Sequence, residues 1–291
     1  MISGADRRRA GLMATVAIVA LALAAATFLL GVGTISGQRF GNAVFNARFA
    51  VHAQAQQLVG SLLHSLTELS LLGLGLALMA VALLRRRPRL ALAAGVVVFG
   101  TAILSQVFKY GLPRPDLGVD PPWLAHNTAP SGHASISMAL AIAFVLVVPV
   151  RWRIPAGIVG YLWASSIAAG TLAAGWHRPV DTYSGELLAL AVGAITAAVL
   201  VRWRGGTGLA PPALRSVGMG VALACAVATV PVVVFLEFVL GPAGADTSRN
   251  GRMAFIGASL ITLVAAAIVM TVFVFLLRRV DPDPPRPSGR V

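Results

Sequence analysis

Residues 90–115 read LALAAGVVVFGTAILSQVFKYGLPRP. An almost unbroken apolar run ends in Lys109, and the chain then turns through Gly111, Pro113 and Pro115 around Arg114. About 20 consecutive apolar residues are what a helix needs to cross a bilayer. A basic, proline-stiffened segment at the end of such a run marks the place where the chain meets water. Runs of the same kind fall at 11–34, 58–84, 134–150, 155–175, 180–201, 214–240 and 253–277. Together they predict an all-α polytopic membrane protein with about eight transmembrane helices. Short alternating strands, which a membrane barrel requires, are missing.

Composition supports this reading. Of 291 residues 57% are apolar and 11% charged, against roughly a quarter charged in a soluble domain. The mean hydropathy is +0.84. A soluble globular enzyme, a disordered chain and a disulfide scaffold are excluded. The single cysteine, Cys225, can form neither an internal disulfide nor a cysteine-based metal site.

The net charge of +13 comes almost wholly from arginine, with Lys109 the one lysine. Arg7–Arg9, Arg85–Arg89, Arg151/Arg153, Arg202/Arg204 and Arg278/Arg279 occupy every second junction between runs. Sixteen basic residues fall on that face and seven on the other (Arg39, Arg48, Lys109, Arg114, Arg178, Arg249, Arg252). The richer face is expected in the cytoplasm, with both termini there. The pattern is topological and predicts no nucleic-acid partner. The first run, longer than a leader's apolar region, reads as a retained span. The polar segment 35–57 reads as a short helix along the interface. The organisation expected is 1–57 as first span and outer loop, 58–204 as a functional core, 205–279 as two further spans, and 280–291 as a proline-rich disordered cytoplasmic tail.

Groups able to do chemistry concentrate at the other face. His52, His64, His126, His133 and His177 all fall there, with Asp116, Asp120, Asp181 and Glu186. Three junctions carry them: Lys109 to Pro115, then Pro130-Ser131-Gly132-His133, then Gly175-Trp176-His177-Arg178-Pro179-Val180-Asp181. Ser131 is placed to cap the helix that follows, and Gly132 lets a ligand approach the backbone. Free N–H groups at a helix start favour an anion, and Lys109 and Arg114 add positive charge around phosphate oxygens. With a helix starting at Pro179, Asp181 lies about one turn inside and can accept a hydrogen bond from His177. That fixes the tautomer and leaves the other nitrogen free to attack phosphorus. His133 is then the second histidine, which protonates the departing oxygen. Glu68 is an acid inside a run, either functional or paired structurally with His64.

In these three motifs the sequence resembles the type 2 phosphatidic acid phosphatase family, the membrane lipid phosphate phosphatases related to vanadium haloperoxidases. The resemblance covers roughly residues 55–202. The family pattern is Lys-x6-Arg-Pro, Pro-Ser-Gly-His, and Ser-Arg-x5-His-x3-Asp, on a six-helix core with the motifs at one face. The resemblance implies a phosphohistidine mechanism needing no metal and no cofactor. It implies His177 as nucleophile, Asp181 as its orienting partner and His133 as general acid, with Ser131, Gly132, Lys109 and Arg114 holding phosphate. The chain departs from the pattern at two places. Arg114-Pro115 follows Lys109 by five residues rather than seven, and Asp116 stands at the family arginine position. Gly170 and Thr171 stand where Ser-Arg belongs, and Arg178 is the nearest substitute.

The expected function is hydrolysis of a lipid phosphate or diphosphate, prenyl or glycerolipid, at the outer leaflet of the cell membrane. The partners expected are that lipid substrate and the bilayer. The departures keep alternatives open: a catalytically weakened lipid-phosphate-binding, carrier or partner subunit, or altered phosphoryl or glycosyl transfer.

Overall fold

The computed structural model describes residues 3–47, 53–119, 125–204, 207–208, 247–277 and 280–281. Within them the chain is helical: α1 Gly4–Val32, α2 Ile35–Ala47, α3 Ala53–Ser65, α4 Glu68–Leu84, α5 Pro88–Gly111, α6 Gly132–Val147, α7 Arg153–Ala173, α8 Pro179–Arg204 and α9 Thr247–Leu277. A 3₁₀ turn, Val150–Trp152, leads into α7. Thr207–Gly208 pairs antiparallel with Val280–Asp281.

Five of these helices carry stretches long and apolar enough to cross a membrane: Gly4–Val32, Pro88–Gly111, Val150–Ala173, Pro179–Trp203 and Met253–Leu277. The pair Gln56–Ser65 and Glu68–Leu84, bent by 54°, makes a sixth if counted as one span. The all-α architecture expected from the sequence is present, with five or six candidate spans among the described residues. The expected seventh run, 214–240, lies outside the described residues, as do Arg48, His52, Asp120, Cys225 and the tail from 282.

The run at 58–84 is not one straight helix. Thr67 breaks it: its hydroxyl accepts from the Ser70 N–H and caps a new helix that begins at Glu68. A hydroxyl that satisfies a free N–H competes with continuing the preceding helix. Just before the break, the side chains of His64 and Ser65 bond back to their own turn, at Gly60 O and Leu62 O.

The expected fourth span is the 16-residue helix α6, shorter than the others and almost wholly buried. It is the axis of the bundle, packed against α4, α5, α7, α8 and α9. Its apolar residues from Ile136 to Val147 mesh with Val97 and Val98 of α5, Ala189 and Leu190 of α8, and Met270 and Phe273 of α9. Helix α9 thus belongs to this core. Small residues set the spacing. A Cβ at Gly160 of α7 would stand 2.9 Å from the Ala141 Cβ and 3.2 Å from Met270 Cε. A Cβ at Gly185 of α8 would stand 2.6 Å from Ser135 Oγ and 3.2 Å from Ser131 O. The second contact lets α8 lie directly against the start of α6.

The two ends of the bundle differ chemically. The end of α5 and the starts of α6 and α8 bring Lys109, His133 and His177 to one end. The other end carries arginines. Arg85 donates to Val147 O at the end of α6. The buried Arg153 donates to Leu277 O and Val280 O, closing the last turn of α9. A guanidinium there satisfies carbonyls that a helix C-terminus leaves open.

The close approach at Gly160 yields a test. Gly160→Leu forces α7 away from α6 and α9, and overpacking of this kind destabilises by about 1–3 kcal/mol. Thermal unfolding in detergent should occur at a lower temperature. Gly11→Leu, where nothing lies within 4 Å of an added Cβ, should leave it unchanged.

Candidate active site

The turn that presents His177 is built by the end of α7. Gly175 N–H bonds to Leu172 O and Trp176 N–H to Thr171 O, with Gly175 at φ +69°. That left-handed conformation is strained for a residue with a side chain. Helix α8 starts two residues beyond His177, at Pro179, where the missing N–H is no loss.

Asp181, buried in the first turn of α8, organises the site. Its Oδ2 accepts from His177 Nδ1 at 3.1 Å, the Arg178 N–H at 2.9 Å and Thr128 Oγ1 at 2.7 Å. Its main-chain carbonyl accepts from the Ser131 N–H at 2.8 Å. The second and third motifs are thereby held together at both ends of one residue. With Nδ1–H donating to the carboxylate, the Nε2 lone pair of His177 is left for chemistry.

Ser131 caps α6, its hydroxyl accepting from the Ala134 N–H at 3.4 Å. Asn127 ties this turn to the first motif. Its amide donates to Lys109 O at 3.1 Å, Leu112 O at 3.1 Å and Ala129 O at 3.0 Å. The end of α5 is thus fixed against the start of α6.

His133 donates from Nε2 to Leu66 O at 3.0 Å, across the break between α3 and α4; a carbonyl only accepts, so that nitrogen carries the proton. Trp176 packs edge-on to both His64, at 4.7 Å, and His133, at 5.5 Å between centroids. Glu68, His177 and Lys109 all lie within electrostatic reach of His133.

Gly132 has a more specific reason to be glycine than open access to a ligand. A Cβ there would stand 1.9 Å from Glu68 Oε1. The carboxylate occupies the notch, and its Oε2 accepts from Gln106 of α5 at 2.9 Å. Glu68 bonds Gln106 rather than His64, whose Nδ1 bonds Gly60 O; the His64–Glu68 pair considered from the sequence is replaced by these contacts.

The arginines divide. Arg114 is half-buried on the loop after α5, which the buried Gln38 of α2 anchors by donating to Pro115 O at 2.9 Å. Asp116 closes the next turn, accepting from the Gly118 N–H at 2.9 Å. The Arg178 side chain runs toward α2: its Nε donates to Asn42 Oδ1 at 3.3 Å and its guanidinium lies 5.9 Å from the Phe45 ring centre. Thr171 bonds back to Ala168 O, and Gly170 faces Val59 and Leu63, so no positive side chain stands at those positions. Thr128, Asn127, Gln106 and Gln38 were not singled out from the sequence. Only Asn127-Thr128, polar and directly before the second motif, carried a usable signal there.

Thr128→Val keeps the shape of the side chain and removes one donor from a buried carboxylate. A hydrogen bond to a charged group is worth about 1.5–3 kcal/mol. Turnover should fall about ten- to a hundredfold in kcat with KM little changed, because Thr128 supports Asp181 rather than substrate. Steady-state kinetics on the purified variant checks this.

No curated protein and no solved structure matches the chain. A family model, described as PAP2 superfamily, matches residues 89–205, the stretch from the start of α5 to the end of α8 that carries all three motifs. Members of this superfamily are phosphatases, which supports phosphoester hydrolysis by this chain. The PAP2 superfamily match over residues 89–205 is consistent with a type 2 phosphatidic acid phosphatase-like family.

Proposed function

We propose that the protein is an integral membrane phosphatase that hydrolyses a lipid phosphate or diphosphate, prenyl or glycerolipid, through a phosphohistidine intermediate. The observation that carries this reading is the junction at Asp181, which holds His177 by one carboxylate oxygen and the Ser131-Gly132-His133 turn by its carbonyl. The lipid tail stays in the bilayer while the head group enters the histidine end of the bundle. The arginine-rich end fits a cytoplasmic position, so the histidine end is assigned to the opposite side of the cell membrane.

In the first step His177 Nε2 attacks phosphorus and the bond to the leaving oxygen breaks. Asp181 stabilises the positive charge that develops on the imidazole. His133 enters this step as the imidazolium; its Nε2 proton leaves Leu66 O for the departing oxygen, and the ring becomes neutral. In the second step His133, now neutral, accepts a proton from water, and the hydroxide attacks the phosphorus on His177. Phosphate leaves and both imidazoles return to their starting state. Lys109, Arg114, Ser131 and the amides at the start of α6 hold the phosphate oxygens.

A second reading is favoured by Gly170 and Thr171, where no guanidinium meets phosphate. On it the chain binds a lipid phosphate with little turnover, as a carrier or partner subunit, or transfers the group to another acceptor.

Purified protein in EDTA, given a panel of lipid phosphates and diphosphates, should release phosphate. His177→Ala should abolish release, and His133→Ala should lower it by about a hundredfold or more, within the range usual for losing general acid–base catalysis. Release that survives His177→Ala removes it as nucleophile; tight lipid binding without release from any substrate supports the second reading.

A further inference from the structure

The Glu68 carboxylate lies against Gly132, at the helix start that the phosphate reading assigns to an anion. Its Oε1 fills the notch at Gly132, the first residue of α6, and its Oε2 is held by Gln106. Its charge acts on His133. An anion drawn to the start of α6 by the helix dipole and free amides therefore meets a fixed negative charge already in place.

The two permanent cations assigned to the phosphate, Lys109 and Arg114, are matched in number by the carboxylates of Glu68 and Asp181. From α5 comes Lys109, from α6 His133, and from the turn before α8 His177; Lys109 and His177 each act electrostatically on His133. His64 of α3 packs edge-on to Trp176. Arg178 is engaged with Asn42 and Phe45, and positions 170 and 171 are Gly and Thr. Asp181 behind His177 adds a second carboxylate. A doubly charged phosphoryl group would face more repulsion here than a singly charged one, because like charges at such separations interact strongly outside bulk water.

We propose that Glu68 is a specificity-determining residue that restricts this site to a singly charged phosphoryl group. Such a group has two sources, a phosphate monoester that keeps one proton or a phosphodiester. The proposal rests on the reading of the pocket as a phosphate site. It adds a reason for the pairing of Glu68 with Gln106: the amide fixes the carboxylate against Gly132 while leaving its charge intact.

The test uses the full chain in detergent and two soluble probes, phenyl phosphate and diphenyl phosphate. Binding of each is measured by calorimetry at about pH 5 and about pH 8, on either side of a monoester's second ionisation near about pH 6. The diester keeps one charge throughout and serves as the reference. In the wild-type protein, phenyl phosphate should bind about tenfold or more weakly at the higher pH relative to diphenyl phosphate. Glu68→Gln, which keeps shape and hydrogen bonding, should collapse that ratio toward one. Gln106→Lys, which keeps Glu68 but neutralises it from α5, should do the same, and stands in if Glu68→Gln does not fold. Two variants that alter the charge at position 68 by different routes separate its effect from that of the histidines.

A ratio that is the same in wild-type and variants overturns the proposal while leaving the phosphate site intact. No binding of either probe to any of the proteins at either pH overturns the phosphate site itself. Turnover distinguishes the sources. Hydrolysis of phosphatidic acid confined to acidic pH identifies the protonated monoester, and hydrolysis of phosphatidylglycerol across the range identifies the diester. Wild-type turnover of phosphatidic acid that keeps rising to about pH 8 overturns the proposal.

Discussion

One buried oxygen, Asp181 Oδ2, receives hydrogen bonds from a histidine ring, a backbone amide and a threonine hydroxyl. These come from two stretches of chain about 50 residues apart in sequence. A buried carboxylate with fewer partners would be strongly unfavourable, so the arrangement is either complete or unstable. Completing it forces the loop before α6 against the start of α8, and the Ser131 N–H to Asp181 O bond fixes the register. The orientation of His177 and the position of the α6 N-terminus are therefore one structural fact.

The bundle makes that junction possible by letting helices approach closely. Gly185 admits the Ser135 hydroxyl and the Ser131 carbonyl, and Gly160 admits α6 and α9. In a bilayer, where lipid is as apolar as the side chains, close packing of small residues is a main source of helix association. The arginines at the opposite end close helix ends instead of lining a pocket: Arg85 on α6 and Arg153 on α9. The same residue type that sets topology by its distribution is used locally as a cap for carbonyls.

Much of the helical pattern was legible because apolar run length is a direct requirement of the membrane. The cap at Ser131, the helix start at Pro179 and the four-residue spacing from His177 to Asp181 were legible because each is local. The break at Thr67 was not read, since a threonine inside an apolar run carries little contrast, although Thr67-Glu68 is a serviceable helix-start signal. Thr128 and Glu68 meet their partners across long sequence separations, which no local pattern encodes. Arg178 lies beside His177 in sequence yet points to α2, because adjacent residues at the start of a helix project in different directions. The sequence neighbour of a candidate site residue is thus a poor guide to its neighbour in space.

The central claim is that two imidazoles and the start of α6 share one phosphorus centre. The most direct measurement is an experimental structure of the full chain with orthovanadate, a mimic of the phosphoryl transition state. The account predicts vanadium bonded to His177 Nε2, its oxygens facing the amides at Gly132 and His133, and the His133 ring within hydrogen-bonding distance on the opposite side. Vanadate bound elsewhere, or bound to neither ring, contradicts it.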